Sequence, residues 1–196
     1  MVPLLFALSM FVSPVQYGNV ASAHDAVQGF APVTIASSQE AWKNTEQATS
    51  WSADGITSEE IAVLNLVNQD RASQGLAPLT LAPDLAVVAR MHSRDMYVRR
   101  YFDHYAPSPG PTTPMDRYIA YLGHRPKYAM VGENIYYRSM TDVPTGAADQ
   151  AETAFMNSPA HRANILQAQF TKLGVGVYRS PDGQYWVTEM FLRDRP

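Results

Sequence analysis

The run from Lys172 to Leu192 constrains the fold most. Lys172 to Tyr178 alternates like a strand, Ser180-Pro181-Asp182-Gly183 is a turn, and Gln184 to Leu192 is the returning strand. Alternation sends successive side chains to opposite faces of a sheet. A Pro-Asp-Gly turn reverses the chain because proline presets one backbone angle and glycine accepts a positive one. A hairpin of this kind has apolar residues to bury, so other elements must cover it.

The segments upstream read mostly as helices. Thr57 with Glu60 forms a capping box, Ile61, Leu64 and Val67 follow at helical spacing, and Gly75 ends the run with Pro78 just beyond. A second helix starts at Pro83-Asp84 and runs to about Arg100, with Leu85, Val88, Ala89, His92 and Met96 as its apolar stripe. A lone histidine on such a stripe is usually a satisfied core residue, so His92 is assigned to the core. Met115 to Leu122 reads as a short helix ending at Gly123, and Gly132 to Tyr137 as a short strand. Thr145 to Asn157 is a further helix with Ala148, Ala151, Phe155 and Met156 inward. Helices that precede and interleave with a few strands indicate an α+β domain, with helices packed on a small antiparallel sheet.

The N-terminal part has a different character. Val2 to Val12 is apolar but too short to span a bilayer as a helix. Ala21-Ser22-Ala23 then offers a small-x-small cleavage site, so residues 1–23 read as a secretory signal peptide, although no Lys or Arg precedes the apolar run. Residues 24–56 lack any period and read as a disordered or partly ordered linker, and 57–196 as the folded domain. The expected location is therefore extracellular, periplasmic or at the cell envelope, with no transmembrane segment after cleavage. A net charge of -3 argues against nucleic acid or an anionic membrane surface as a main partner. The chain has no cysteine, which removes disulfides and thiolate chemistry but does not decide the compartment.

Three polar residues stand out. His104 follows the long helix and borders a Pro- and Ser-rich loop, where functional side chains often sit on a rigid support. Glu133 lies in Val131-Gly132-Glu133-Asn134-Ile135. His161 lies in Asn157-Ser158-Pro159-Ala160-His161-Arg162, where Ser158 reads as an N-cap and Pro159 as the first helical residue. His161 then falls in the first turn, where the helix dipole favours a neutral imidazole able to take a metal or a proton.

Several runs together resemble bacterial members of the CAP superfamily, named for cysteine-rich secretory proteins, antigen five and pathogenesis-related group one. They are Leu66-Val67-Asn68-x-x-Arg71-x-x-x-Gly75-Leu76-x-Pro78-Leu79, Ala89-x-x-His92-Ser93-x-Asp95-Met96, Phe102-x-His104 and Gly132-Glu133-Asn134-Ile135. Ser158-Pro159-x-His161-Arg162-x-Asn164-Ile165-Leu166 and Gly174-Val175-Gly176-Val177 complete the set. The likeness covers about Ser58 to Leu192 and implies a three-layer α-β-α sandwich. It also implies a cleft of two histidines and two glutamates. His104 resembles the first histidine, Glu133 the first glutamate and His161 the second histidine. The place of the second glutamate falls at Ser158, Glu152 one turn earlier is not a motif match, and Phe155 stands where relatives often have tryptophan. The four-residue set is therefore incomplete.

Two histidines and one carboxylate suit zinc or another divalent metal, with water in a fourth position. Three readings follow. The first is a secreted, monomeric, non-enzymatic module that binds a lipid, glycan or other envelope component through a His104–Glu133–His161 cleft, with Tyr101, Tyr105, Tyr136 and Tyr137 as contacts. The second is a metal-dependent hydrolase acting on peptide or cell-wall material. The third is a structural trio that only holds loops together. The leading reading is not an enzyme.

The processing expectation has a direct check. Exported protein should begin at His24, and N-terminal sequencing that returned Met1 would overturn the leader assignment.

Overall fold

The structure is a computed structural model that describes residues 6–11, 55–139 and 146–193. In chain order the elements are β1 (Phe6–Phe11), α1 (Ser58–Ser73), β2 (Thr80–Leu81), α2 (Pro83–Arg99) and α3 (Pro114–Leu122). They continue with β3 (Met130–Ser139), α4 (Ala147–Asn157), α5 (Pro159–Ile165), β4 (Lys172–Arg179) and β5 (Gln184–Arg193). Among the described residues the strands form one sheet in the order β1-β3-β5-β4-β2. The pairs are antiparallel except for the two-residue β2, which runs parallel to β4. The α+β sandwich expected from the sequence is present, with that one parallel edge added.

The helix boundaries follow local chemistry. Thr57 accepts from the Glu60 amide while Glu60 accepts from the Thr57 amide, so the capping box satisfies two orphan donors at the start of α1. Thr113 and Asp116 repeat the device on α3, which ends at Gly123 in the left-handed region. Ser158 occupies the N-cap position of α5, as expected, but its side chain makes no capping bond.

The pleat of β3 and β5 divides the core into two halves. Tyr136, Val187, Val175, Leu173 and Phe191 point to one face and pack with Val63, Leu64 and Val67 of α1 and with Ala151 and Phe155 of α4. Val131, Met190 and Leu192 point to the other face and meet Leu85, Val88 and Ala89 of α2 and Tyr118 of α3. Helices α1, α4 and α5 thus cover one face, and α2 and α3 the other.

Two glycines set the distance between α2 and the sheet. A Cβ at Gly174 would lie 2.4 Å from the Ala86 nitrogen, and one at Gly176 would lie 2.0 Å from the Arg90 nitrogen. Backbone atoms cannot swing aside as a side-chain tip can, so only hydrogen fits there. This closeness lets Ser93 of α2 bond the Gly176 carbonyl at 2.9 Å and the Thr188 hydroxyl at 2.8 Å.

Strand β1 comes from the stretch read as the apolar run of a leader. It pairs antiparallel along the outer edge of β3, with Met10 opposite Glu133 and Ser9 opposite Asn134. The remainder of residues 1–23, and residues 24–54 of the linker, lie outside the described residues.

The α2 contact predicts a large effect from one methyl group. Gly176→Ala should destabilise the domain by about 3 kcal/mol or more, because the overpacked atoms are backbone. Urea unfolding that found the variant within experimental error of wild type would contradict the close approach.

Candidate functional site

Glu133 points to the α2–α3 face of β3 and is fully buried. A bare carboxylate there would be costly, so its partners decide its chemistry. His104 Nδ1 donates to Oε1 at 2.8 Å, and Arg117 of α3 donates to Oε2 at 2.5 Å. His92 Nε2 lies 3.6 Å from Oε1. Arg117 also donates to the His104 carbonyl at 3.0 Å and to the Thr112 carbonyl at 2.9 Å, which ties the loop after α2 to the start of α3. Tyr101 gives its proton to Asp95 at 2.6 Å and stands 3.3 Å from His92 Nδ1.

Burial raises the Glu133 carboxyl, but Arg117, then His92 and His104, outweigh it, and the pKa falls to about 2. Burial, followed by Arg117, lowers His92 to about 3, so it is neutral in ordinary media. The guanidinium is then the group that holds Glu133 ionised at neutral pH.

His161 lies elsewhere. Its ring packs on Phe155 at 5.2 Å between centroids, and Phe155 packs on Tyr136 at 6.0 Å. Tyr136 faces the α4–α5 side, opposite to Glu133. Helix α5 is held on that side by Asn164, whose amide donates to the Glu133 carbonyl at 3.1 Å and to Asn134 Oδ1 at 2.9 Å. Asn134 donates to the His161 carbonyl at 3.3 Å and to Glu189 Oε2 at 2.9 Å. The structure brings His104 and Glu133 into direct contact, and the His161 ring packs against Phe155 of α4. All three are fully buried rather than facing an open cleft.

A metal requires its ligand atoms to converge on one point, each at roughly 2.0–2.2 Å. Both Glu133 oxygens are engaged, by His104 and by Arg117. Among the described residues no group of three His, Cys, Asp or Glu side chains is arranged to hold a metal ion. The expected set of His104, Glu133 and His161 is not such a group.

Sequence reasoning missed two partners. His92, assigned to the core, is in the core but beside Glu133. The signal was the His92-Ser93 pair near an apolar stripe, since buried polar groups need partners. Arg117 also carried a signal, because a positive charge in the first turns of a helix opposes the dipole and so implies a specific acceptor. Of the tyrosines proposed as contacts, Tyr136 is fully buried, Tyr137 stacks on Trp186 at 4.2 Å between centroids, and Tyr101 serves Asp95. Tyr105 is 38% exposed.

Comparison with known proteins agrees with the fold. Residues 64–191 match the family model described as the cysteine-rich secretory protein family, CAP. The chain belongs to that family. It is 34% identical over 162 residues to Bacillus subtilis YkwD, covering 83% of this chain and 58% of that protein. It is 35% identical over 156 residues to the Bacillus subtilis membrane protein YlbC, covering 80% of this chain and 38% of that protein. The chain thus spans about half the length of these relatives. An extracellular protein from Bacillus anthracis that contains an SCP domain superposes with a TM-score of 0.55 at 32% identity, covering 69% of this chain and 40% of that one. Among the described residues no helix is long and apolar enough to cross a membrane.

The Glu133 clamp has a pH signature. A carboxyl with a lowered folded pKa contributes stability above its unfolded value of 4.5, and this is lost as pH falls through about 2. The shift corresponds to roughly 3 kcal/mol. Wild type should lose that much between about pH 5 and about pH 2, and Glu133→Gln should lack this part of the acid loss while being less stable at neutral pH. Urea unfolding across the range measures it, and equal acid slopes for both proteins would contradict the clamp.

Proposed function

We propose that this protein is a secreted CAP module that acts by binding an envelope component, glycan or lipid, and not by turnover. One observation carries the reading: both oxygens of the best-placed carboxylate, Glu133, are occupied by His104 and Arg117 in a fully buried position. A general base must reach the proton it removes, and a carboxylate held well below neutral by a guanidinium is a poor proton acceptor. The clamp fits a positioning task instead. It fixes the loop carrying Tyr105 against the start of α3.

The surface beyond α3 supports the same reading. Tyr121 is 39% exposed and Tyr128 76% exposed, and His124, Arg125 and Lys127 between them are also exposed. Aromatic rings with hydrogen-bonding ends and long cationic side chains suit contact with sugars or lipid headgroups. The metal-dependent hydrolase gains no support from the arrangement of the trio.

The test combines binding and turnover. Purified cell-wall sacculi or zwitterionic lipid vesicles should retain the wild-type protein, and Tyr128→Ala should weaken retention about tenfold, the effect of about 1.4 kcal/mol. Elemental analysis should find no stoichiometric zinc, and zinc titration should give the same isotherm for wild type and His104→Ala. Tight zinc together with hydrolysis of a peptide or muropeptide, lost in a folded His161→Ala or Glu133→Gln variant, would establish the enzyme in place of the binding module.

A further inference from the structure

Glu152 and Glu189 form a second acidic feature that the clamp does not use. Glu152 lies on the inward side of α4 and is 3% exposed, and Glu189 lies on β5 and is fully buried. Each acts electrostatically on the other or bonds with it, and Asp70 of α1 adds a third carboxyl. Asn134 donates to Glu189 Oε2 at 2.9 Å. Glu189 Oε1 and both Glu152 oxygens have no donor at hydrogen-bonding distance among the described residues.

The groups that act on the pair are Asn134 on the sheet and Asp70 on α1, neither of them a cation. The Arg71 guanidinium on α1 is spent on the Ala77, Ile165 and Gln167 carbonyls. Two buried carboxylates close enough to act on each other cannot both ionise at low cost.

We propose that Glu152 and Glu189 hold one proton between them, and that this proton keeps α4 seated on the sheet, so that this face of the domain loosens as the medium turns alkaline. Burial raises both carboxyls; the charge of Glu189 and then Asp70 raise Glu152 further, whereas at Glu189 the bonds with Asn134 and Glu152 oppose burial without overcoming it. A carboxyl with a raised folded pKa contributes its full stability below the unfolded value of 4.5 and loses it as pH rises. The direction is opposite to that of Glu133. The proton also explains how the feature persists, because a protonated carboxyl becomes a donor and can bridge to its neighbour.

Melting curves of the full chain test this. The wild-type melting temperature should fall by about 5 °C or more between about pH 5 and about pH 9. Glu152→Gln, a neutral replacement of nearly the same shape, should flatten that slope and melt higher than wild type at the alkaline end, and Glu189→Gln should do likewise. If the variants fold poorly, carbon-13 spectra of wild type labelled at glutamate carboxyls serve instead, and two resonances should titrate well above 4.5. Equal slopes in all three proteins, or glutamates that all titrate at or below the ordinary value, would overturn the proposal. So would added calcium that raises the alkaline melting temperature of wild type but not of Glu152→Gln, since the pair would then hold a cation rather than a proton.

Discussion

The pleat of β3 governs the chemistry of this domain. Glu133 and Asn134 are adjacent in sequence, and in a strand adjacent side chains must point to opposite faces. Strand β5 fixes the register residue by residue from Met130 to Ser139, so neither side chain can change sides without breaking the whole ladder. Glu133 is thereby committed to the layer of α2 and α3, and Asn134 to the layer of α4 and α5. Two polar systems arise back to back. One is built on His104, Arg117 and His92, and the other on Glu189, Glu152 and Asn164.

The two systems solve the same problem in opposite ways. A buried carboxyl survives if a cation faces it or if it keeps its proton. Arg117 faces Glu133 at 2.5 Å, so that carboxyl is ionised. Glu152 faces Glu189 with Asp70 near, so burial and like charge push that carboxyl towards protonation. Residue type alone does not decide the charge of a glutamate here. The partner across the layer does.

Much of this fold was legible in the sequence, because its signals are local. The capping box at Thr57 and Glu60, the stop at Gly123 and the hairpin around Ser180 to Gly183 each depend on a few neighbouring residues, and each appears in the structure. The site was less legible, because its contacts are long-range. The contact of His104 with Glu133 spans 29 positions, and the placement of His161 depends on how α5 docks. That docking is set by Asn164 reaching Asn134 and by Arg71 reaching the Ile165 carbonyl at 2.7 Å. No pattern within the Ser158 to Leu166 run encodes it. The inward phase of Glu152 was visible beside Ala148, Ala151 and Phe155, but its partner Glu189 came from a strand 37 residues later.

The motif residues divide by what they touch, and the division bears on function. Asn68 mimics a strand by accepting the Leu79 amide at 2.8 Å and donating to its carbonyl at 3.0 Å. Arg71 closes the end of α5, Ser93 bolts α2 to β4, and Gly174 and Gly176 permit that approach. Asn134 and Asn164 join α5 to the sheet. Each of these residues is explained by a bond or a distance inside the domain. A resemblance carried by such residues specifies a scaffold and leaves open what the scaffold presents. If the domain binds a ligand as proposed, selectivity rests with side chains that do no internal work. Tyr121, His124, Arg125, Lys127 and Tyr128 have that character, exposed at and just beyond the end of the helix that carries Arg117. The buried clamp and the exposed surface thus meet on α3, which carries Arg117 inward and Tyr121 outward.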